Sequence, residues 1–414
     1  MRKRRLLVLI GIAAAIACYC WLMYPPAAGP PPVEEWTRHF GGGLGGARVM
    51  VDPSENLYIV RDAEYVSSAA TGYMRERKAF ATKYSPGGEL LWTTQLKTGD
   101  VRLPSMGPDG CVYLPPGDFT IGSLSGKQVT RIMPDGSVRD APPLDREVQY
   151  TRFLVDRFGS YFLQTWDYPR SYLCKFDPSG NRKFEVDDVR TSDPTGWDGQ
   201  QMASDGSGGI ICFKTEHFSS ADTIYPRMSL VTRFDGTGNR LWTVDKFSHE
   251  DGPDQFCADS KGNSYVGGSV EYQAPSYNGS GSIFSRIIEK IRNWLAGRRY
   301  RASGGRDYYI EKYDVRGRRL WSLEPRTPDE DYIGGMTADN NGNLYATVAV
   351  RKGSVESYSL SKYSPQGRLM WHKVLEPPGS IITGSKGHIY LLRSYVNPLT
   401  PGNEETVITK LTER

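Results

Sequence analysis

Cysteine and histidine are scarce in this chain, with six and five residues among 414. Cys18 and Cys20 fall in an apolar leader, which leaves Cys111, Cys174, Cys212 and Cys257 without a C-x-x-C pair. That spacing excludes a zinc ribbon and a thioredoxin-type redox centre. In an exported chain an even count admits disulfides, and the simpler expectation is buried free thiols packing as small apolar groups. The motifs G-x-S-x-G and H-E-x-x-H and a phosphate-binding loop are absent, which excludes the common hydrolase, metalloprotease and nucleotide-binding signatures. A charge of one sign is missing too. The net charge is +4, and Arg2, Lys3, Arg4 and Arg5 account for it, so no basic field argues for nucleic acid.

Long apolar runs are also lacking, apart from Leu6 to Tyr24 behind that basic cluster. Such a run is long enough to cross a bilayer, and the positive-inside rule places the remainder of the chain outside. Residues 1–24 therefore read as an uncleaved signal anchor, a lipoprotein signal with Cys18 as acceptor, or a leader cleaved near Ala17. All three export the larger, carboxy-terminal part of the chain to the periplasm or cell surface. Residues 25–33, beginning PPAAGPPP, read as a stiff polyproline linker.

The rest of the chain, residues 34–414, is repetitive. Met336 to Val374 is its cleanest unit: two short apolar runs around D-N-N-G-N, then two more around S-P-Q-G. Asx and glycine turns between alternating runs predict two hairpins, hence a four-stranded meander. The first turn recurs at Glu55, Gly110, Gly159, Gly208, Gly262, Gly342 and Gly387, with Tyr58, Tyr113, Phe162, Ile211, Tyr265, Tyr345 and Tyr390 three residues on. The second recurs at Gly88, Gly136, Gly180, Gly238, Gly317 and Gly367. Trp92, Phe184, Trp242, Trp321 and Trp371 follow four residues later, and the second copy departs at Asp140. Five residues before each of these glycines stands a base: Lys83, Arg131, Lys175, Arg233, Lys312 and Lys362. These bases read as solvated strand ends. Asp156, Asp205, Asp259 and Asp339 open turns in which a carboxylate bonds backbone N–H groups two residues on, and their spacing lacks the alternation of a calcium loop.

The seventh copy runs out of chain after one further strand, which carries Lys410. Its missing outer strand stands at the other end of the chain, in EEWTRHF around Trp36. A four-stranded sheet cannot bury both faces alone, and a closed ring removes most open edges. The expectation is an all-β, seven-bladed β-propeller closed by an N-terminal strand and preceded by one N-terminal transmembrane or signal helix. The runs VDPSENLYIV with KYSPGGELLW, and DSKGNSYVGG with KYDVRGRRLW, resemble the SBBP-type propeller repeat and, more distantly, NHL repeats. That resemblance implies a scaffold class placed outside the cytoplasm, with no shared catalytic set. A weaker likeness to quinoprotein repeats rests on the G-x-x-x-W ending alone.

Function in such a ring resides in unequal loops. The outlier is an insertion at about 271–306 in blade five. Ser282 to Gly297 predicts the chain's one propeller-domain helix, with Ile283, Phe284, Ile287, Ile288, Ile291, Trp294 and Leu295 as an apolar stripe. Arg286, Lys290 and Arg292 lie opposite, followed by Arg298, Arg299 and Arg301. The stripe, with Arg298 and Arg299, suits a protein partner, a membrane surface, or self-docking over acidic neighbours such as Glu250, Asp251, Asp254, Asp329, Glu330 and Asp331. Catalytic candidates are thin: His217 with Glu216 and His249 with Glu250 fit either a lyase or hydrolase site or ordinary surface pairs. The leading reading is a membrane-tethered, extracytoplasmic, non-catalytic module for a protein or glycan partner, with no metal or cofactor. A propeller enzyme and a quinone- or sugar-binding propeller are the alternatives. If EEWTRHF closes the ring, deleting residues 34–42 should cause aggregation or rapid proteolysis. Removing residues 1–24 should leave a folded domain, and a soluble, protease-resistant protein without Trp36 would contradict closure.

Overall fold

The computed structural model describes residues 29–41, 47–67, 75–97, 101–117, 125–167, 170–187, 201–216, 219–220, 223–224, 227–248, 253–272, 305–325, 329–353, 355–375, 379–384, 386–396 and 404–413. Every regular element among them is a strand, and they form seven consecutive antiparallel blades. Blade 1 is Arg48–Val51, Leu57–Ser67, Arg75–Tyr84 and Leu90–Leu96, and blades 2 to 6 repeat that order through Leu369–Leu375. Blade 7 joins Ser380–Thr383, Ile389–Val396 and Glu404–Thr412 to Val33–Gly41. The closing strand pairs from Val33 with Thr412 to Gly41 with Glu405, with a slip between Glu34 and Trp36. The ring is closed by the strand the spacing predicted. The membrane-crossing leader expected at residues 1–24 lies outside the described residues, as does the helix expected at 282–297. Among the described residues no helix is long and apolar enough to cross a membrane.

The core sits between blades. Tyr265 and Ile310 of blade 5 pack against Ile333, Leu344 and Val348 of blade 6, and Phe162 and Leu173 of blade 3 meet Ile210 and Phe234 of blade 4. Burying such side chains contributes roughly 1.5–3 kcal/mol each. The repeated landmarks explain one another through these interfaces. In blade 5 the Asp259 carboxylate accepts the N–H groups of Lys261 and Asn263, each at 3.0 Å, and the Tyr265 hydroxyl at 3.2 Å. Lys312 lies 3.8 Å from the same carboxylate and 4.7 Å from the centre of the Tyr265 ring. Its ammonium then donates across the interface to the Pro365 carbonyl of blade 6, as does the Trp321 indole. Blade 1 repeats this with Asp52, Tyr58, Lys83, Trp92 and the Pro134 carbonyl. Blade 4 uses Asp205, Arg233, Trp242 and the Val315 carbonyl.

These contacts correct one expectation. Lys83, Lys175, Arg233, Lys312, Lys362 and Lys410 are 3–8 % exposed, so they are interior groups and not solvated strand ends. For Lys83, Lys175 and Lys312 a carboxylate, an aromatic face and a carbonyl of the next blade replace the water the ammonium gives up, and Arg131 of blade 2 is half-buried. The turn glycines fit the same device. Gly317 takes φ +76°, and a Cβ there would stand 2.8 Å from the Trp242 ring of the preceding blade. Glycine thus serves both the left-handed turn and the approach of the indole.

Smaller departures follow from local packing. Gly29 to Pro32 do not act as a free spacer. The Gly29 N–H bonds the Met370 carbonyl at 2.8 Å and Lys373 reaches the Pro32 carbonyl at 3.2 Å, so that stretch lies along the outer strand of blade 6. Asp331, expected among the acidic surface loops, is fully buried. Cys111, Cys174, Cys212 and Cys257 are free thiols, the first three buried. Asp156, Asp205, Asp259 and Asp339 bond the N–H groups two residues on, as expected of turn acids. Replacing Lys312 with methionine would strand the Asp259 charge in the interior, and we expect a loss of about 3 kcal/mol. Urea unfolding should show that loss for Lys312→Met and less than about 1 kcal/mol for the exposed Lys261→Met.

Candidate functional site

Each blade is threaded from its innermost strand outward, so the seven first strands ring the propeller axis. Each touches the next, and Ser380–Thr383 completes the circle against Arg48–Val51. Every hairpin turn that begins with an acid or serine lies at one end of this ring. The connections between second and third strands lie at the other, here termed the loop face. Most first-strand positions carry small or apolar residues, among them Met50, Leu154, Ala203, Cys257 and Ile382. At one repeat position, occupied by Leu103, Gly335 and Ser380 in blades 2, 6 and 7, the other four blades carry long polar side chains. Arg48, Arg152, Gln201 and Gln255 each stand four residues before the acid that opens their turn, at Asp52, Asp156, Asp205 and Asp259.

The two arginines belong to blades 1 and 3, on either side of the shortest blade. Arg48 is exposed, and its Nε donates to the Arg102 carbonyl at 2.8 Å, at the entry to blade 2. Arg152 is half-buried and follows an irregularity in the pairing of Val148–Val155 with Tyr161–Asp167, which skips Thr151. Its Nη1 donates to the Thr151 carbonyl at 2.9 Å. Burial, and secondarily the charge of Arg48, holds the Arg152 guanidinium below its ordinary pKa. Two cationic groups on the axial strands of blades 1 and 3 thus lie within electrostatic reach of one another. Ser125–Gly126, from the connection within blade 2, adds as a fifth strand to the axial edge of blade 3, against Val148 and Gln149. It covers the loop-face end of that strand.

The residues predicted from sequence fare unevenly. Glu216 ends the strand Ile210–Glu216 and pairs with Met228, which brings it to the loop face. His217, His249 and Glu250 lie outside the described residues, as do Ile283, Phe284, Ile287, Ile288, Ile291, Trp294, Leu295, Arg298 and Arg299. The stems of the insertion are described: Tyr272 pairs with Gly305, so the insertion leaves from the loop face. The closing strand begins at the turn end, where Val33 pairs with Thr412, so the linker enters on the opposite side. The three described histidines are dispersed. His39 is on the closing strand, His372 on an outer strand with Nδ1 3.2 Å from the Ser361 hydroxyl, and His388 in a turn beside Glu55. Among the described residues no group of three or more His, Cys, Asp or Glu side chains could hold a metal ion. The arginine pair was missed by sequence reasoning, although its signal was present as two departures from the repeat at equivalent positions.

No family model matches the chain, and no curated protein matches it. Solved structures do. Polysaccharide lyase Uly1 superposes with a TM-score of 0.53 at 9 % identity, over 93 % of this chain and 99 % of that one. A fungal alcohol oxidase of the AA5 family, in complex with copper, gives 0.50 at 10 % identity, over 92 % and 76 %. A streptogramin B lyase gives 0.49 at 9 % identity, over 91 % and 98 %. At such identities the likeness is one of fold, and a fold that superposes on both a lyase and an oxidase selects no chemistry. The chain is a seven-bladed β-propeller. Because the insertion leaves from the face opposite the linker, Ile287→Glu with Ile291→Glu should loosen the loop without unfolding the ring. Limited proteolysis should speed up within 273–304 while the thermal midpoint stays put. Strong binding of residues 29–414 to anionic liposomes, lost in the double variant, would instead make the insertion a second membrane contact.

Proposed function

We propose that this chain is a non-catalytic binding propeller, akin to SBBP-type repeat proteins and tethered outside the cytoplasm by its apolar amino-terminal segment. It takes an anionic glycan or acidic protein partner at the loop face. The observation that carries the reading is the Arg48–Arg152 pair on the axial strands. A half-buried guanidinium beside a second cation is best stabilised by a carboxylate, sulfate or phosphate group on a ligand. Gln201 and Gln255, at the same level in blades 4 and 5, add neutral donors and acceptors of the kind that orient a polar ligand. The conspicuous acids, lysines, tyrosines and tryptophans of the repeats are engaged in blade packing, which leaves recognition to positions where the repeat is broken. The insertion whose stems leave from this face is basic in sequence, since Ser282 to Arg301 carries six bases against Glu289.

The test compares the propeller and its Arg48→Glu, Arg152→Glu double variant on immobilised polyuronate, polyglutamate and neutral glucan at physiological salt. Wild-type protein should be retained on an anionic matrix and not on glucan. The double variant should bind at least about tenfold more weakly, roughly 1.4 kcal/mol. Equal retention of both proteins, or preference for the neutral glucan, would remove the anion reading. Turnover of any of these polymers that depends on His217 or His249 would replace binding by catalysis.

A further inference from the structure

Two turns at the seam between blades 7 and 1 depart from the repeat in complementary ways. Where Glu55 stands, the other copies have Gly110, Gly159, Gly208, Gly262, Gly342 and Gly387, all at positive φ. Glu55 takes φ 68°, the one non-glycine in that region among the described residues, and its side chain is buried. In blade 7, Gly384 stands where blades 1, 3, 4, 5 and 6 have their turn aspartate. The Glu55 carboxylate crosses from blade 1 into that gap. Its Oε1 accepts the Lys386 N–H at 2.7 Å, and its Oε2 accepts the Tyr390 hydroxyl at 3.3 Å and lies 3.1 Å from His388 Nδ1. These partners stand two, four and six residues past Gly384, the offsets at which Asp259 binds Lys261, Asn263 and Tyr265. A Cβ on Gly384 would run into the Glu55 carboxylate, so the glutamate needs the glycine. The acid of blade 7 is supplied by blade 1.

The carbonyl bonds across this seam are the ordinary ones. The Tyr390 hydroxyl meets the Glu55 carbonyl at 3.3 Å, as Tyr58 meets Gly110 at 3.2 Å and Tyr265 meets Gly342 at 2.8 Å. Lys410 and Trp36 donate to the Pro86 carbonyl at 3.1 and 2.9 Å, as Lys83 and Trp92 donate to Pro134. Such bonds would fit blade 1 to the outgoing side of other blades as well. The Glu55 side chain would not fit there. Blades 3, 4, 5 and 6 hold Asp156, Asp205, Asp259 and Asp339 where its carboxylate would enter. Blade 2 has Gly107 at that position, but Asp109 fills the place, accepting the Cys111 N–H at 3.1 Å and the Tyr113 hydroxyl at 2.9 Å. At the joint of blades 5 and 6, a Cβ on Gly342 would already stand 3.2 Å from the Asp259 carboxylate. On the far flank of blade 7, Lys362 and Trp371 of blade 6 meet the Glu413 side chain in place of a turn carbonyl, at 2.6 and 2.7 Å from the ammonium and 2.9 Å from the indole. Within blade 7, Glu35 of the closing strand pairs with Lys410 at 3.0 Å and accepts the Thr412 hydroxyl at 2.6 Å.

We propose that Glu55 and Gly384 form a closure key, which lets blade 1 dock on blade 7 and bars it from the other blades. Repeated joints pose a problem of order. Until the last strands have folded, the incoming side of blade 1 is uncovered, and the outgoing sides of blades 2 to 6 offer it nearly the same carbonyl bonds. Closing early on blade 5 or 6 would give a smaller ring with strands left over. There Glu55 would set its carboxylate against Asp259 or Asp339, leaving two acids for one buried lysine, Lys312 or Lys362. On blade 7 the same carboxylate finds the Lys386 N–H, the Tyr390 hydroxyl and the His388 ring, with glycine in place of the aspartate. Discrimination thus comes from a group that clashes with the wrong partners as well as one that fits the right one. The left-handed backbone of Glu55, which favours glycine, is kept because it aims the side chain across the seam.

Hydrogen exchange of the full chain in detergent micelles at neutral pH reads the pair. Gly384→Asp crowds two carboxylates into one place, and Glu55→Gly leaves the blade 7 donors unmet. Each should lower protection in Leu57–Ser67 and Ile389–Val396 by about tenfold or more. Glu55→Gly with Gly384→Asp makes the seam like the other joints, and it should restore protection to within about threefold of wild type. That double variant has nevertheless lost the key. On dilution from urea, its recovery as protease-resistant monomer should fall about twofold or more below that of wild type. Full protection in Gly384→Asp, no recovery in the double variant, or refolding of the double variant as faithful as wild type would each overturn the proposal. Should the seam variants not fold, the joint of blades 5 and 6 decides. Gly342→Glu should lower protection in Ser264–Tyr272 and Leu344–Lys352, and adding Asp259→Gly should restore it. Failure of that rescue would also overturn the key.

Discussion

A buried cation in six of the seven blades is the constraint on which most of this ring depends. The base near the end of the third strand is removed from water in all but blade 2, where Arg131 is half-buried, and no single partner could compensate for that. In blades 1, 3 and 5 it is held by the acid of its own first turn, by the face of an aromatic on its second strand and by a carbonyl of the following blade. Blades 1, 4 and 5 each combine an acid of their own with a carbonyl of the neighbour. The first contact gives the blade its internal geometry, and the last sets its position against the next. The indole that shares the carbonyl lies over the next turn glycine, so the landmarks of the repeat are parts of one polar joint between blades.

Such a joint leaves little chemistry to spare. Acids and bases that look, in sequence, like a sevenfold array of functional groups are satisfied by one another, as buried polar groups must be. Recognition therefore has to come from residues outside the repeat logic. The proposed site at the axial arginines lies at such positions, since the repeat elsewhere carries no guanidinium four residues before a first turn. The insertion in blade 5 is another case, attached by a regular strand pair at the face away from the linker. A fold of this kind is a frame on which unrelated activities occur, so function has to be argued from loops and axial positions.

The seam shows how a repeat adapts where it cannot repeat. Blade 7 has no second-hairpin turn of its own, because its third and fourth strands come from opposite chain ends. With that turn missing, Lys362 and Trp371 would face no carbonyl, and the Glu413 side chain takes that role. A glutamate reaches where an aspartate or peptide group does not, and all three exceptions, Glu35, Glu55 and Glu413, are glutamates.

The sequence by itself determined the number of blades, the two hairpins in each, the turn chemistry and the closing of the ring by EEWTRHF. These follow from local periodicity, from turn residues with particular φ requirements and from counting strands, all of which are properties of neighbouring residues along the chain. It also located Glu216 next to a loop and the stems of the blade 5 insertion. Only the tertiary structure decided that the repeated bases are interior, that Asp331 is buried, that Gly29 to Pro32 lie against blade 6, and that Arg48 and Arg152 share the axis. Whether a lysine is solvated depends on what the next blade places above it, some 50 residues away along the chain for Lys83 and Lys312. The exchange between Glu55 and Gly384 lies further still from local reasoning, because the two residues stand at opposite ends of the chain and meet only when the ring closes.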